Sequence, residues 1–134
     1  FKTFREPNPD IEIPCNHYQY TIYGEGLYRA LKELSERIAG PLDIPIYVTE
    51  NGIGTDNDDH RILHSQRYLY ALARAIADGY DVRGYIHWSL MDNYEWGAYK
   101  KHYGLYNVDR SNRLTRTKKK GAAYFEAIVK GSAI

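Results

Sequence analysis

The stretch Ile44-Pro45-Ile46-Tyr47-Val48-Thr49-Glu50-Asn51-Gly52 decides the fold of this chain. Its apolar run, Ile44 to Val48, predicts a short buried strand over Ile44 to Thr49, and Asn51 and Gly52 are residue types that end a strand. One carboxylate, Glu50, is thereby brought to the carboxyl end of the strand. In parallel α/β proteins, ligands gather at the carboxyl ends of the strands. Glu50 is therefore the first candidate functional residue.

A second strand end with aromatic and acidic side chains lies further along the chain. Tyr85 to Trp88 predicts it, and the run Ser-Leu-Met-Asp-Asn-Tyr-Glu-Trp follows over residues 89–96. An indole offers a flat apolar face and a polar N–H, and a carboxylate accepts hydrogen bonds from hydroxyl groups. Two strand ends with two carboxylates and two tryptophans therefore indicate a carbohydrate site.

Amphipathic segments separate and flank the two predicted strands. The first should end at Gly40-Pro41 and has these apolar positions on one helical stripe: Leu27, Ala30, Leu31, Leu34 and Ile38. The polar cluster Asp56 to Asp59 predicts the N-terminus of a second helix, because carboxylates satisfy its free N–H groups. That helix should end near Gly79 and turn inward Leu69, Leu72, Ala73 and Ile76. An irregular loop is expected over Phe1 to Tyr23, which hold three of the five prolines.

The second half of the chain continues the alternation of strand and helix. A second strand is predicted over Val82 to Ser89, and a long loop to Thr117 contains a candidate strand or turn at Gly104 to Val108. The last helix should begin with the solvated run Lys118 to Lys120 and turn inward Ala122, Phe125, Ile128 and Val129. Strands that alternate with helices predict βαβ units and a parallel sheet.

Two parallel strands do not complete a sheet, because parallel sheets are covered on both faces and exposed edges invite pairing. A right-handed βαβ unit with flanking helices accounts for the whole chain. The sequence therefore predicts a single partial domain over residues 1–134, a piece of a larger α/β protein.

The composition excludes several classes of partner. The formal net charge is +1, so nothing calls for a nucleic acid, and no apolar run is long enough to span a membrane. No signal segment, basic and then apolar, stands at the start. The single cysteine, Cys15, cannot form an internal disulfide and fits a reducing compartment, so a cytoplasmic location is expected.

Four blocks of sequence carry a family resemblance: Thr49-Glu50-Asn51-Gly52, Asp81-Val82-Arg83-Gly84-Tyr85, Trp88-Ser89-Leu90-Met91-Asp92-Asn93-Tyr94-Glu95-Trp96 and Tyr103-Gly104-Leu105. In this order they resemble the C-terminal part of the family-1 glycoside hydrolases, the β-glucosidase family. The resemblance implies the C-terminal portion of a (β/α)8 TIM barrel, strands 7–8 with helices 6–8. It also implies a retaining hydrolase of β-linked glucosides and galactosides that needs no metal or cofactor.

The same resemblance implies a role for five side chains. Glu50 matches the nucleophile, a carboxylate that attacks the anomeric carbon of the β-glycoside substrate and forms a glycosyl-enzyme ester. Glu95 and Trp96 match residues that hydrogen-bond the sugar hydroxyls. Trp88 matches the aromatic platform under the sugar ring, and Tyr103 matches a wall of the site.

The second carboxylate of such a site is not found in this chain. A retaining glycosidase needs two carboxyl groups about 5–5.5 Å apart, and the family's acid/base lies in an Asn-Glu-Pro motif after strand 4. Glu6-Pro7 follows Arg5 and does not match. The chain alone is therefore expected to be inactive and to need the N-terminal remainder of the barrel as its partner. A non-catalytic fragment with weak glycoside binding, or self-assembly of several copies into a pseudo-barrel, remains as an alternative.

Phosphorylated sugars are a further alternative. Lys101 and Tyr103 fall where the 6-phospho-β-glycosidase branch of the family places phosphate ligands. That branch usually has Ser where this chain has Glu95, and a carboxylate repels a sugar phosphate. Unphosphorylated glycosides are therefore the favoured substrate class.

The sequence predicts no metal site. His60 and His64 are four residues apart on a predicted helix, but no third zinc ligand follows, and surface histidines are the favoured interpretation. Asp56-Asn57-Asp58 resembles the start of a calcium loop, yet Arg61 stands where that loop needs glycine.

Overall fold

The computed structural model describes residues 22–131. Its elements are, in chain order, α1 (Gly24–Leu34), a π-helical turn (Ser35–Ala39), β1 (Ile46–Asn51), α2 (Asp58–Ala77), β2 (Val82–His87), β3 (Tyr106–Asp109), β4 (Thr115–Lys118) and α3 (Lys120–Val129). The predicted loop over Phe1 to Tyr23 lies outside the described residues except for its last two, and so do Cys15 and Glu6-Pro7.

β1, α2 and β2 form the predicted βαβ unit. β1 and β2 pair in parallel, with Ile46 opposite Val82 and Asn51 opposite His87. The predicted bounds of β1 were wrong at both ends, since the strand begins after Pro45, which has no N–H to donate, and continues through Asn51.

The core lies between the helices and the parallel strand pair and consists of Tyr28, Leu31, Ala39, Ile46, Ala71, Ala75 and Val82. The predicted helical stripes are correct only in part, because these members are exposed: Ala30, Leu34, Ile38, Ala73 and Ile76. α2 instead turns Ala71 and Ala75 inward, since small side chains let the helix pack closely against its neighbours. The bulkier Ile76 lies outside that contact and is 49% exposed.

A hairpin of two short strands forms the last part of the predicted loop before α3. β3 and β4 pair antiparallel, with Tyr106 opposite Lys118. The candidate strand at Gly104 to Val108 is confirmed in part as β3, but β4 was missed. All four residues of β4, Thr115–Lys118, are polar and exposed, so the strand has no alternation of apolar and polar positions to reveal it.

Of the two charged runs predicted at helix N-termini, one lies there and the other does not. Asn57 caps α2 by accepting a hydrogen bond from the Asp59 N–H at 2.9 Å, as its polar cluster predicted. Lys118 lies in β4 and only Lys120 is in α3, so the lysine run is not a solvated helical turn. Lys119 is largely buried instead and forms an ion pair with Asp92 at 2.8 Å. The last helix also departs from its predicted face at Val129, which is 72% exposed.

Candidate active site

Glu50 lies near the carboxyl end of β1 with an exposed side chain. Among residues 22–131, no side chain donates a hydrogen bond to its carboxylate. The next residue is held firmly: the Asn51 carbonyl accepts a hydrogen bond from the Trp88 N–H at 2.9 Å, and Asn51 Oδ1 accepts one from the Tyr85 hydroxyl at 2.9 Å. The strand end is therefore rigid, while the carboxylate on it stays open to a reaction partner.

The glycine after this strand end is required by a close approach of two backbones. A Cβ on Gly52 would lie 1.7 Å from the carbonyl oxygen of Trp88, a distance that no side chain can occupy. The segment after Glu50 and the segment after β2 are thus packed against each other. This contact brings the two predicted strand ends of the site together.

Trp88 and Glu95 form a hydrogen-bonded couple next to that contact. The indole Nε1–H of Trp88 donates to Glu95 Oε1 at 2.5 Å, and Asn93 Nδ2 donates to the same oxygen at 3.2 Å. Glu95 is 9% exposed, so both bonds act on a largely buried carboxylate, where charge-assisted hydrogen bonds are strong. Glu95 Oε2 makes no hydrogen bond to a described residue. It can accept one from a ligand hydroxyl.

Trp96 stands apart from this couple. It lies in a tight turn in which Glu95 and Ala98 exchange backbone hydrogen bonds of 2.8 and 3.0 Å. Its φ of 47° is in the left-handed region, which costs a residue other than glycine of order 1–3 kcal/mol. The indole is 85% exposed, so the described residues do not bring it into contact with the other predicted site residues.

Tyr103 links the segments after β1 and after β2. Its carbonyl accepts a hydrogen bond from the Ser89 N–H at 3.3 Å. Its ring lies over Gly54, where an added Cβ would come within 2.9 Å of the ring edge. The structure thus places Tyr103 against the loop that follows Glu50.

Asp92 is a buried residue beside the candidate site that the sequence analysis did not single out. It is 3% exposed, and its Oδ1 accepts hydrogen bonds from the Gly104 N–H and from Lys119 Nζ, both at 2.8 Å. A Cβ on Gly104 would lie 2.2 Å from the Asp92 nitrogen, so this contact is close as well. Asp92 therefore fixes the segment that carries Trp88 and Glu95 to the segment that follows Tyr103. The signal for it was an acidic residue inside a block rich in site residues.

Two histidines near the site, His64 and His87, are buried. His64 is 4% exposed and stacks on Tyr68, with the ring centroids 4.1 Å apart, so the prediction of a surface histidine was wrong for it. Burial lowers the pKa of His64 to about 3 and that of His87 to about 4, and the charge of Arg61 lowers both further. The described residues contain no group of three acidic, His or Cys side chains that could hold a metal ion.

The sequence of the chain matches a known family. The model for glycosyl hydrolase family 1 matches residues 2–133 of this chain. The chain belongs to glycosyl hydrolase family 1. The resemblance in the sequence is thereby confirmed.

Relatives with known activities cover the chain nearly completely but are much longer. The match to Beta-glucosidase 20 of Arabidopsis thaliana is 38% identical and covers 81% of this chain and 22% of that protein. The match to a 6-phospho-beta-galactosidase of Staphylococcus epidermidis is 35% identical, with shares of 93% and 28%. A solved family 1 β-glucosidase from Thermotoga maritima superposes with a TM-score of 0.82 at 30% identity, with shares of 90% and 29%. This chain therefore spans less than a third of the length of these relatives.

These likenesses confirm the fold class in its coarser form, a partial α/β piece of a family 1 glycosidase. Within residues 22–131, no helix is long and apolar enough to cross a membrane.

Proposed function

We propose that this chain supplies the nucleophile and part of the sugar subsite of a retaining β-glycosidase. In the complete barrel, β1 and β2 would be strands 7 and 8, and α1, α2 and α3 would be helices 6, 7 and 8. The observation that carries the proposal is the open carboxylate of Glu50 on a rigid strand end, which is packed against the segment of Trp88. A carboxylate that is accessible and firmly placed suits attack on an anomeric carbon.

The reaction would proceed by double displacement. Glu50 attacks the anomeric carbon and forms a glycosyl ester as the leaving group departs, and water then cleaves the ester with net retention. The remainder of the barrel would supply the second carboxyl group, which protonates the leaving group and later activates the water. With this division, the chain would carry the nucleophile but would not be an enzyme by itself.

The substrate's hydroxyl groups would be held by the Trp88–Glu95 couple. Because the indole N–H and Asn93 occupy Glu95 Oε1, the carboxylate has one fixed orientation and presents Oε2 to a sugar hydroxyl. The face of Trp88 would stack on the apolar side of the sugar ring, with Trp96 donating from its indole and Tyr103 closing one side. A negatively charged Glu95 favours unphosphorylated glycosides.

Covalent labelling tests the assignment of the nucleophile. A fluorinated glycoside that forms a slowly hydrolysed ester should attach to Glu50 in the complete protein that contains this chain, and peptide mass spectrometry locates the label. Glu50→Gln should abolish labelling, since an amide does not attack the anomeric carbon. Recovery of the label on any other peptide would contradict the proposal.

A further inference from the structure

Arg61 is a buried cation that the proposed reaction does not use. It lies in the first turn of α2, and its side chain is 1% exposed. Its guanidinium donates from Nη1 to Asp58 Oδ1 at 2.5 Å and from Nη2 to two backbone carbonyls, Thr55 at 2.8 Å and His102 at 2.6 Å. A buried guanidinium is costly to desolvate unless good partners surround it. These contacts therefore fix the position of the guanidinium and of both carbonyl groups.

The two carbonyls belong to the loops that flank the proposed sugar site. Thr55 lies in the loop that leads from Glu50 to α2, and His102 directly precedes Tyr103. The loops also contact each other, since the Thr55 N–H donates to the His102 carbonyl at 3.2 Å and the Tyr103 ring covers Gly54. Arg61 Nη2 thus lies at the crossing point of the nucleophile's loop and the loop of Tyr103.

A second layer of contacts fixes the guanidinium itself. Asp58 Oδ2 accepts a hydrogen bond from the Gly121 N–H at 3.2 Å, so the start of α3 is tied to the carboxylate that orients Arg61. A Cβ on Gly121 would come within 2.8 Å of Arg61 Cδ, so α3 packs directly against the side chain. These contacts hold the guanidinium at the point where the two loops meet.

We propose that Arg61 is a positioning residue, which sets the place of the Tyr103 ring relative to the strand end of Glu50. The inference rests on the proposed function, in which Tyr103 walls the sugar site. Only a planar guanidinium can donate from one nitrogen to two carbonyls while another nitrogen of the same group holds a carboxylate. A lysine keeps the charge but cannot reproduce these three directions from the same place.

The test compares Arg61→Lys, Tyr103→Ala and the double variant in the complete protein that contains this chain. Active sites are counted with the fluorinated glycoside, so that kcat and KM for an aryl β-glucoside refer to folded molecules. We expect Arg61→Lys to lower kcat/KM at least tenfold, mainly through a higher KM. The double variant should match Tyr103→Ala within twofold, because Arg61 acts through the ring that is already removed.

The matched control is Arg74→Lys on the same helix. Arg74 forms an exposed ion pair with Glu25 at 3.1 Å and contacts neither loop, so kcat/KM should stay within twofold of the wild type. If Arg61→Lys does not fold, Asp58→Asn takes its place, since it removes the carboxylate that orients the guanidinium. Asp58→Asn should lower kcat/KM at least threefold. This decrease should be absent when Tyr103 has already been replaced by alanine.

The outcomes separate the two proposals. Labelling of Glu50 in the wild type, with an unchanged kcat/KM in Arg61→Lys and only a lower melting temperature, would overturn the positioning role alone. Additive effects of Arg61→Lys and Tyr103→Ala would overturn it too. A wild-type protein that takes no label on Glu50 would overturn the proposed function and this inference with it.

Discussion

At the scale of single residues, the orientation of Glu95 is set before any substrate arrives. Two N–H donors, from Trp88 and Asn93, converge on Oε1, and the side chain is nearly buried. A side chain whose orientation is already fixed loses less conformational entropy when a ligand binds. In the proposed function, the couple therefore gives Glu95 a fixed orientation toward a sugar hydroxyl.

Replacing that charge should alter the choice of substrate. Glu95→Ser should lower kcat/KM for an unphosphorylated β-glucoside roughly 10- to 100-fold, because at least one charge-assisted hydrogen bond worth about 1.5–3 kcal/mol is lost. The ratio of rates for 6-phosphorylated over plain glycoside should rise, since the repulsion of the phosphate disappears. Steady-state kinetics of the complete protein with both substrates measures the change.

The control for this prediction is Glu33→Ser, which removes an exposed carboxylate that pairs with Arg37 on the surface at 2.9 Å. It should leave both rates unchanged, because exposed ion pairs contribute little. A wild-type protein that cleaves the phosphorylated glycoside much faster than the plain one would contradict the assignment of Glu95.

At the scale of elements, the site is held by the contact between the ends of β1 and β2. The chain passes so close to the Trp88 carbonyl at Gly52 that even one methyl group has no room. The parallel pairing of Asn51 with His87 and the bond from the Trp88 N–H to Asn51 complete the same junction. The distance between Glu50 and Trp88 therefore depends on the packing of two backbones.

A methyl group at this junction should separate the strand ends. Gly52→Ala should lower the free energy of unfolding by about 3 kcal/mol or more, since the backbone must shift to relieve the overlap. Gly97→Ala is the comparison, because Gly97 has a φ of 86° but open space around it, and strain alone should cost about 1–2 kcal/mol. Thermal or denaturant unfolding measures the loss of stability in each variant. Equal losses in Gly52→Ala and Gly97→Ala would contradict the role of the close contact.

At the scale of the whole molecule, the described residues leave much apolar surface uncovered. Tyr47 on β1 is 56% exposed and Ile86 on β2 is 59% exposed, although both lie on strands of the sheet. A two-stranded sheet is marginally stable by itself, and a parallel sheet is normally covered on both faces. This exposure is consistent with a chain that spans less than a third of the length of its relatives. We expect the remaining strands of the barrel to cover these residues.

Catalysis should therefore require a second segment. We expect the isolated chain to leave an aryl β-glucoside uncleaved, because the acid/base carboxyl is absent, and we expect a polypeptide with strands 1–6 of the barrel to restore turnover. The same companion mixed with a Glu50→Gln chain is the control and should give none. Native mass spectrometry of the mixture reports the assembly, and turnover by the isolated chain that Glu50→Gln abolishes would contradict the prediction.

The βαβ unit, the family and the candidates for the site could be predicted from the amino-acid sequence. Hydrophobic patterning and the order of the four blocks are local properties that can be found without coordinates. Prediction from the sequence failed for β4 and, in part, for the inward faces of the helices. A polar strand has no periodic signal, and the buried face of a helix depends on which neighbours cover it.

The contacts among the candidate site residues could not be predicted in this way, because they depend on how the chain folds. Trp88 and Glu95 are seven positions apart, yet their bond exists because the segment between them folds back on itself. Arg61 and His102 are 41 positions apart, and the burial of a charge beside two loops has no signature in either sequence segment. Such contacts depend on the places that packing gives to distant segments, since a hydrogen bond forms only within about 3 Å and in a narrow range of directions.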